Sequence, residues 1–503
     1  MSNNKDGFYS DPDNTPPLGE ATALGLQHVL AMFASNVTPS VIVAGAAGLA
    51  FGGAEMVYLI QMAMLFAGVA TLLQTVGIGP VGARLPIMQG TSFAFVGVLA
   101  GLAATQGLPV ALTACIFGGI LHFLLGTIIK DIRWLFPPLV TGLVILAIGL
   151  YLIPVAIKYS AGGAAKFQME AESFGSLMHW SVAGIVVIVA LICKFFGRGL
   201  ISNAAVLIGI IAGYLLAFAQ GMVNFAPVAK ASWFSGLQPI PYGFEFSLGA
   251  VIAVTLVCIV SAIETVGDTS ATTKAGAGRE ATDEEISGAT YADGLGSAVA
   301  GVFGGLPNTS FSQNVGIVGM TGIMSRHVVT IGAVFLVICG LIPKIGAVIA
   351  SMPLPVLGGG VIVMFGMVAA AGLNVLSEVT LNRRNMVIIA VSLAVGLGLN
   401  LVPSAVQYLP GVVKVLATSA VAPTALVAVV LNLILPEEEI HLSLSKPNFK
   451  LSDERRIFIG NFEPNLSLSN INFMELRLIT SFMTSSAIEI SPVRSSLPRS
   501  IFI

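Results

Sequence analysis

The chain has 503 residues, 55% hydrophobic and only 10% charged, with a mean hydropathy of +0.92 and a net charge of −2. Soluble domains carry about 25% charged residues, so a water-soluble globular protein of this length is excluded: there are too few charges to cover its surface. The near-neutral balance leaves no electrostatic footprint for nucleic acid, and a lipid bilayer is the expected surrounding.

Residues 1–21 begin "MSNNKDGFYSDPDNTPPLGE", acidic and proline-bearing, without the apolar stretch of a cleaved signal peptide. A cytoplasmic tail is expected here, with the first membrane helix as its own insertion signal. A transmembrane helix needs about 20 predominantly apolar residues, and such stretches recur. The expected spans are 22–42, 47–76, the short 93–106, and 110–129; then 134–157, 179–197 and 201–224; then 247–268, 287–304, the short 314–325, and 326–349; and finally 353–374, 385–402 and 411–435. The fold class is therefore an all-α polytopic membrane protein of fourteen segments, of which 93–106 and 314–325 are too short to cross a bilayer alone. Residues 437–503 hold no span and are expected to form a disordered cytoplasmic tail; an altered reading frame is the second reading. Cys115, Cys193, Cys258 and Cys339 all lie in apolar spans without metal-ligand spacing and read as small buried hydrophobes, so neither a metal nor a cofactor is expected.

Lys and Arg set the orientation. With a cytoplasmic N-terminus, "KDIR" at 130–133 and "NRRN" at 382–385 fall inside, together with Arg84, Lys194, Lys274, Arg279 and Arg326. Lys158, Lys166, Lys230, Lys344 and Lys414 fall outside, which gives a positive-inside bias and places both termini in the cytoplasm.

The tripeptide "TSF" occurs at 91–93 and 309–311, an offset of 218 (309 − 91), and "PLVTGLVILAIG" at 138 resembles "PVLGGGVIVMFG" at 355, an offset of 217 (355 − 138). Two matches at nearly one offset suggest two related halves of seven segments each. Seven is odd, so the second half enters the membrane upside down, as an inverted repeat. In each half a polar, β-prone stretch precedes a short helix: "RLPIMQGTSF" before 93–106 and "LPNTSFSQ" before 314–325. Two extended segments before half-helices 3 and 10 are expected, meeting near the midplane where they could pair, with the half-helix N-termini presenting N–H groups to a ligand. The polar run 308–314 reads as a substrate site; hydrogen-bonding glue between helices is the alternative.

Ionisable residues inside membranes are functional candidates, since a charge at the bilayer centre costs ~2.5–3.5 kcal/mol on insertion scales. The candidates are His28 in the first span, Glu264 and Asp268 in "SAIETVGDTSATT" at the end of the eighth, and Asp293 near the start of the ninth. Spacing i,i+4 puts Glu264 and Asp268 on one helix face. Asp268 could instead cap the helix end, Asp293 could open a first turn, and His28 could be a packing residue.

Residues 20–436 resemble the nucleobase–ascorbate transporters (nucleobase–cation symporter family 2), which include bacterial uracil, xanthine and uric acid permeases. The carriers are "LGLQHVLAMF", "QGTSFAF", "ETVGDTSATT", "ADGLGSAVAGVFGGLPNTSFSQNVGIVGMTGIMSR" and "LPLPVLGGG". The resemblance implies a core domain (22–133 and 247–352; segments 1–4 and 8–11) and a gate domain (134–246 and 353–436; segments 5–7 and 12–14). It implies a homodimer in the plasma membrane of a bacterium, the inner membrane if Gram-negative. It also implies secondary active import coupled to protons, or less readily to sodium, and not enzymatic chemistry. By the same resemblance Glu264 and Gln313 bind the base, Ser312 offers backbone beside it, Phe93 is the aromatic of the other extended segment, and His28, Asp268, Asp293 and Asn314 serve coupling or site geometry. Uracil carriers of the family show an acid in place of Gln313 and His in place of Asp268. A Gln amide both donates and accepts, which suits xanthine first, uric acid next and uracil third; "SQNVG" in place of "QNNG" keeps uric acid open. Two other classes are weighed against this: an anion transporter of the same seven-plus-seven architecture, which would need no central carboxylate, and an intramembrane aspartyl protease, which would need Asp268 and Asp293 in a glycine-rich context that is missing around the second.

Overall fold

The computed structural model describes residues 10–163 and 172–436. The expected tail 437–503, the first nine residues and Lys166 lie outside the described residues.

The described chain is mostly helical. α1 (Leu18–Ala46) and α2 (Ala54–Val76) lead to strand β1 (Gln89–Thr91), a 3-10 turn (Phe93–Phe95) and the short α3 (Val96–Gln106). α4 (Leu108–Leu125), α5 (Pro138–Tyr151), α6 (Ile153–Ser160), α7 (Leu177–Phe196) and α8 (Ala205–Ala219) complete the first half. The second half holds α9 (Leu248–Ala277), α10 (Asp283–Val302), strand β2 (Asn308–Ser310) and the short α11 (Ser312–Thr321). It continues with α12 (Arg326–Gly340), α13 (Pro343–Ala350), α14 (Leu354–Ser377), α15 (Arg383–Leu401), α16 (Gly411–Thr418) and α17 (Val421–Ile434).

Eight helices among the described residues are long and apolar enough to cross a membrane, counting α5 with α6 as one, and the pair α12–α13, bent by 79°, makes a ninth. α3, α8 and α17 are shorter apolar helices. α10 is long enough, but its first turn carries Asp283, Glu284 and Glu285, with a capping box between Thr282 and Glu285.

Two expected single spans, 326–349 and 411–435, are broken next to a proline, while 134–157 holds as one span, Pro138–Ser160, with a local interruption at Pro154. A proline ring clashes with the carbonyl four residues earlier and removes a donor. Pro154 separates α5 from α6, Pro343 opens α13 after the bend, and Pro423 sits in the first turn of α17, just after Ala420 takes a φ of 60°. Two side-chain placements also change. α9 runs on to Ala277 and α10 starts at Asp283, so Asp268 and Asp293 stand inside helices and are buried, and neither caps an end.

Helices pack in two groups. α2 packs on α12, α4 on α10 and α9, and α1 on α12; separately, α5 packs on α14 and α17, α7 on α8 and α14, and α15 on α17. Small residues let these backbones close up: a Cβ at Gly119 would lie 2.4 Å from Ala298 N, and one at Gly149 would lie 2.4 Å from Ala369 N.

β1 and β2 meet as an antiparallel pair, with Gln89 opposite Ser310, Gly90 opposite Thr309 and Thr91 opposite Asn308. Arg84, Lys130, Arg279 and Arg326 surround one surface depression together with Asp13, Asp283, Glu284 and Glu285, whereas Lys344 reaches the carbonyl of Val228 at 3.0 Å and lies 5.3 Å from the Trp233 ring centroid.

Candidate functional site

A pair of three-residue strands cannot satisfy its own outer backbone groups, and buried backbone at this depth needs partners. Side chains from neighbouring helices supply them. Asn36 of α1 accepts the Thr91 N–H at 2.8 Å and the Thr91 hydroxyl at 3.2 Å, and donates to the Ala63 carbonyl at 3.1 Å. Thr71 of α2 accepts the Gln89 N–H at 2.9 Å. Ser297 of α10 accepts the Asn308 N–H at 2.9 Å and donates to the Asn308 carbonyl at 3.2 Å. The ladder extends by two further bonds, Ser92 N–H to Pro307 and Phe311 N–H to Met88. Gly90 must be a glycine: a Cβ there would lie 2.5 Å from the Phe311 ring and 2.6 Å from Met32.

From this crossing the two short helices start, α3 after Phe93 and α11 after Phe311. A helix N-terminus carries unpaired N–H groups and the positive end of the helix dipole, an arrangement that suits an electronegative ligand atom.

α9 brings its carboxylates to the same place. Asp268 accepts the Ser310 hydroxyl at 2.7 Å and the Ser312 hydroxyl at 2.8 Å, which fixes α9 to both ends of the β2–α11 turn. Asp293 of α10 accepts from Gln89 at 2.6 Å, from Gln74 at 3.1 Å and from the Thr265 hydroxyl. Thr265 also lies 3.3 Å from the Thr309 hydroxyl. Asn314 of α11 donates to the His28 carbonyl at 3.0 Å and stands 3.0 Å from His28 Nδ1, tying α11 to α1.

In front of this scaffold opens a cavity of about 390 Å³. Glu264, Gln313, Ser312 and Phe93 all line it. The carboxylate of Glu264 and the amide of Gln313 make no hydrogen bond or ion pair with any other described residue, in contrast to Asp268 and Asp293. The facing wall is apolar, with Ile145 and Ile148 from α5, Val206 from α8, and Met367 and Val368 from α14. Lys194, at the end of α7, is the one cation on its lining.

The eight candidate residues thus divide. Glu264, Gln313, Ser312 and Phe93 border the cavity, while Asp268, Asp293, His28 and Asn314 stand behind it and hold its walls together. Sequence reasoning passed over Gln89, Gln74, Thr265, Asn36 and Lys194 as site residues, whereas Ser310 lies in the polar run 308–314 already read as the site. Gln89 had a signal of its own, an amide beside the repeated "TSF"; Gln74 and Asn36 stand among Ser and Thr in apolar helices, a pattern that helix–helix hydrogen bonding explains equally well. No group of His, Cys, Asp or Glu that could hold a metal occurs among the described residues. The cavity offers one carboxylate (Glu264), two amides (Gln313 and Asn203), the ring of Phe93, hydroxyls of the strand ends and an apolar stretch, a set able to pair with both donors and acceptors of a ligand.

A family model described as a permease family matches residues 19–405. A putative purine permease of Clostridium perfringens is 38% identical over 425 residues, 84% of this chain and 92% of the relative. The uric acid transporter UacT of Escherichia coli is 36% identical over 458 residues, 90% of this chain and 93% of the relative. The xanthine permease XanP of Escherichia coli is 34% identical over 450 residues, 85% of this chain and 94% of the relative. Among solved structures, the transmembrane domain of a cyanobacterial bicarbonate transporter, BicA, superposes with a TM-score of 0.54 at 15% identity, over 83% of this chain and 97% of that one. That likeness concerns the fold.

Proposed function

From the premise that this chain belongs to the nucleobase–ascorbate transporter family, a family of multi-pass membrane permeases, we propose that it is a secondary active importer of a purine base. Xanthine is favoured and uric acid is next. Transport is by proton symport, with alternating access around the cavity between the strand crossing and α5, α8 and α14. The observation that carries this reading is the pair Glu264 and Gln313: both face one cavity and neither has a hydrogen-bond or ion-pair partner among the described residues. Glu264 accepts a ring N–H of the base, and Gln313 pairs with an adjacent N–H and C=O edge. Ser312 offers backbone at the start of α11, and Phe93 packs on the ring face. Asp268, Asp293, His28 and Asn314 hold these groups in place, and a carboxylate of this cluster carries the coupled proton.

Two features support the seven-plus-seven inverted repeat of fourteen segments. The packing of α2 on α12 and of α4 on α10 are the same contact seen once from each half, since segments 2 and 9, and 4 and 11, exchange under the repeat. The β1–β2 pair maps on itself. The two packing groups correspond to the core (22–133 and 247–352) and the gate (134–246 and 353–436). Arg84, Lys130, Arg279 and Arg326 gathered at one depression support assigning that face to the cytoplasm, since the positive-inside rule counts Lys and Arg. We carry forward a homodimer in a bacterial plasma membrane, with both termini inside.

An anion transporter shares this fold, as BicA does. The sole cation on the cavity lining, Lys194, lies near the end of α7, while Glu264 stands midway along α9. A central carboxylate with no cation beside it disfavours a small inorganic anion such as sulfate, which has no N–H to donate to it, whereas a purine base has, so the base reading is preferred. Uptake of labelled xanthine against a panel of competing bases, uric acid and uracil included, and against labelled sulfate tests it. Saturable xanthine uptake blocked by purines supports the proposal; sulfate uptake without base uptake overturns it.

A further inference from the structure

The N–H of Gly97 donates to the hydroxyl of Tyr151 at 3.0 Å, and that hydroxyl donates to the carbonyl of Phe93 at 3.1 Å. In an α-helix the Gly97 N–H would bond the Phe93 carbonyl directly, four residues back. The tyrosine hydroxyl is therefore spliced into the first turn of α3, and a side chain inserted in this way is a recognised cause of local distortion. The turn shows it: Phe93–Phe95 is a 3-10 turn, with the Val96 N–H on the Phe93 carbonyl, and α-helical geometry begins only at Val96. Tyr151 is buried and closes α5, the helix whose Ile145 and Ile148 form the apolar wall of the cavity. Gly97 has no side chain to block it, and a Cβ there would already lie 3.1 Å from the Tyr151 ring. The ring of Phe93, the residue whose carbonyl is engaged, lines the cavity and meets Phe365 of α14 edge-on, with centroids 5.2 Å apart.

We propose that Tyr151 is a positioning residue that couples the gate to the shape of the base site. While its hydroxyl is inserted, the first turn of α3 is held open as a 3-10 turn and Phe93 faces the cavity. When α5 moves away, the hydroxyl leaves and the Gly97 N–H closes on the Phe93 carbonyl. The Gly97 N–H and the Phe93 carbonyl are each partnered in both states, by the hydroxyl in one and by each other in the other. A 3-10 turn advances about 120° per residue and an α turn about 100°. Closure therefore rotates Phe93 by some tens of degrees relative to α3 and withdraws its ring from the base. The inference rests on the reading of the cavity as a purine site.

The test is a double-mutant cycle on purified full-length protein, with Tyr151→Phe, Phe93→Ala and the pair, read by equilibrium dialysis of labelled xanthine and by uptake normalised to surface expression. Tyr151→Phe keeps the ring and removes only the hydroxyl. It is expected to raise Kd and KM about fivefold while the maximal rate falls less than twofold. In the Phe93→Ala background the same change is expected to alter Kd less than twofold, because the side chain it positions is gone. An unchanged Kd in Tyr151→Phe, or losses that simply multiply in the double variant, overturns the assignment. Failure of the wild-type protein to bind any purine base instead removes the reading of the cavity, and this inference with it.

Discussion

Ser310 donates its hydroxyl to Asp268 Oδ2 at 2.7 Å, tying the last residue of β2 to the interior of α9. Ser312 takes the other carboxylate oxygen at 2.8 Å, so one acid spans the turn from strand to half-helix. Glu264 lies one helical turn away on the same face. Asp268 thereby fixes the separation between the carboxylate of α9 and the amide of Gln313, without bordering the cavity itself.

Breaking that tie is expected to loosen the site without removing any group from it. Hydrogen bonds to charged groups contribute ~1.5–3 kcal/mol each. Asp268→Asn weakens both, and Ser310→Ala removes one. Xanthine affinity of purified protein is expected to fall about tenfold in the first, roughly 1.4 kcal/mol, and a few-fold in the second. Wild-type affinity in Asp268→Asn would detach the α9–β2 tie from substrate binding.

Gln313 is expected to select purines over uracil, because its amide both donates and accepts whereas a carboxylate mostly accepts. Gln313→Glu is expected to reach the membrane, to lose xanthine or uric acid affinity at least ~10-fold, and to bind with a steeper dependence on pH, since two acids would then share one cavity. Competition binding with xanthine, uric acid and uracil between pH ~5.5 and ~8 measures this. Unchanged xanthine affinity across that range would remove Gln313 from the base.

The strand crossing makes a prediction about stability. At Gly90 a Cβ would lie 2.5 Å from the Phe311 ring, whereas nothing lies within 4 Å of one at Gly101. Overpacking typically costs ~1–3 kcal/mol. Gly90→Ala is expected to lower the melting temperature in detergent clearly, and Gly101→Ala to leave it unchanged or raise it, since Ala is the better helix former. Equal melting temperatures for the two variants would contradict the close approach at the crossing.

Much of this architecture was legible in the residues. The repeated "TSF" identified two extended segments, and they pair. The i,i+4 acids of α9 and the polar run after β2 do converge. What misled was hydropathy at helix ends. "DTSATTKAGA" reads as the polar end of a span, but Thr269, Thr272 and Thr273 each turn a hydroxyl back onto the carbonyl four residues earlier, and α9 continues to Ala277. Thr and Ser can do this inside a helix, and an apolar count cannot see it. The breaks near Pro343 and Pro423 could have been read from proline alone. The insertion of Tyr151 into the turn of Phe93 could not, because it joins residues 58 positions apart by a single hydroxyl.

Coupling is tested by dissipating the gradient. If a carboxylate of the Glu264, Asp268 and Asp293 cluster carries the proton, uptake is expected to rise with an inward proton gradient and to collapse with a protonophore, at constant sodium. Uptake that survives the protonophore but requires sodium would move the coupling to sodium, and uptake requiring neither would indicate facilitated diffusion.

The central claim is that a purine base sits between Glu264 and Gln313. The most direct measurement is the affinity of purified wild-type and Glu264→Gln protein for xanthine by equilibrium dialysis. The substitution keeps the shape and removes the charge that accepts the ring N–H, a bond in the range of ~1.5–3 kcal/mol. Saturable wild-type binding, weakened tens-fold or more in Glu264→Gln with an unchanged melting temperature, is the predicted result. Equal affinity in the two proteins would place the base elsewhere and contradict the account.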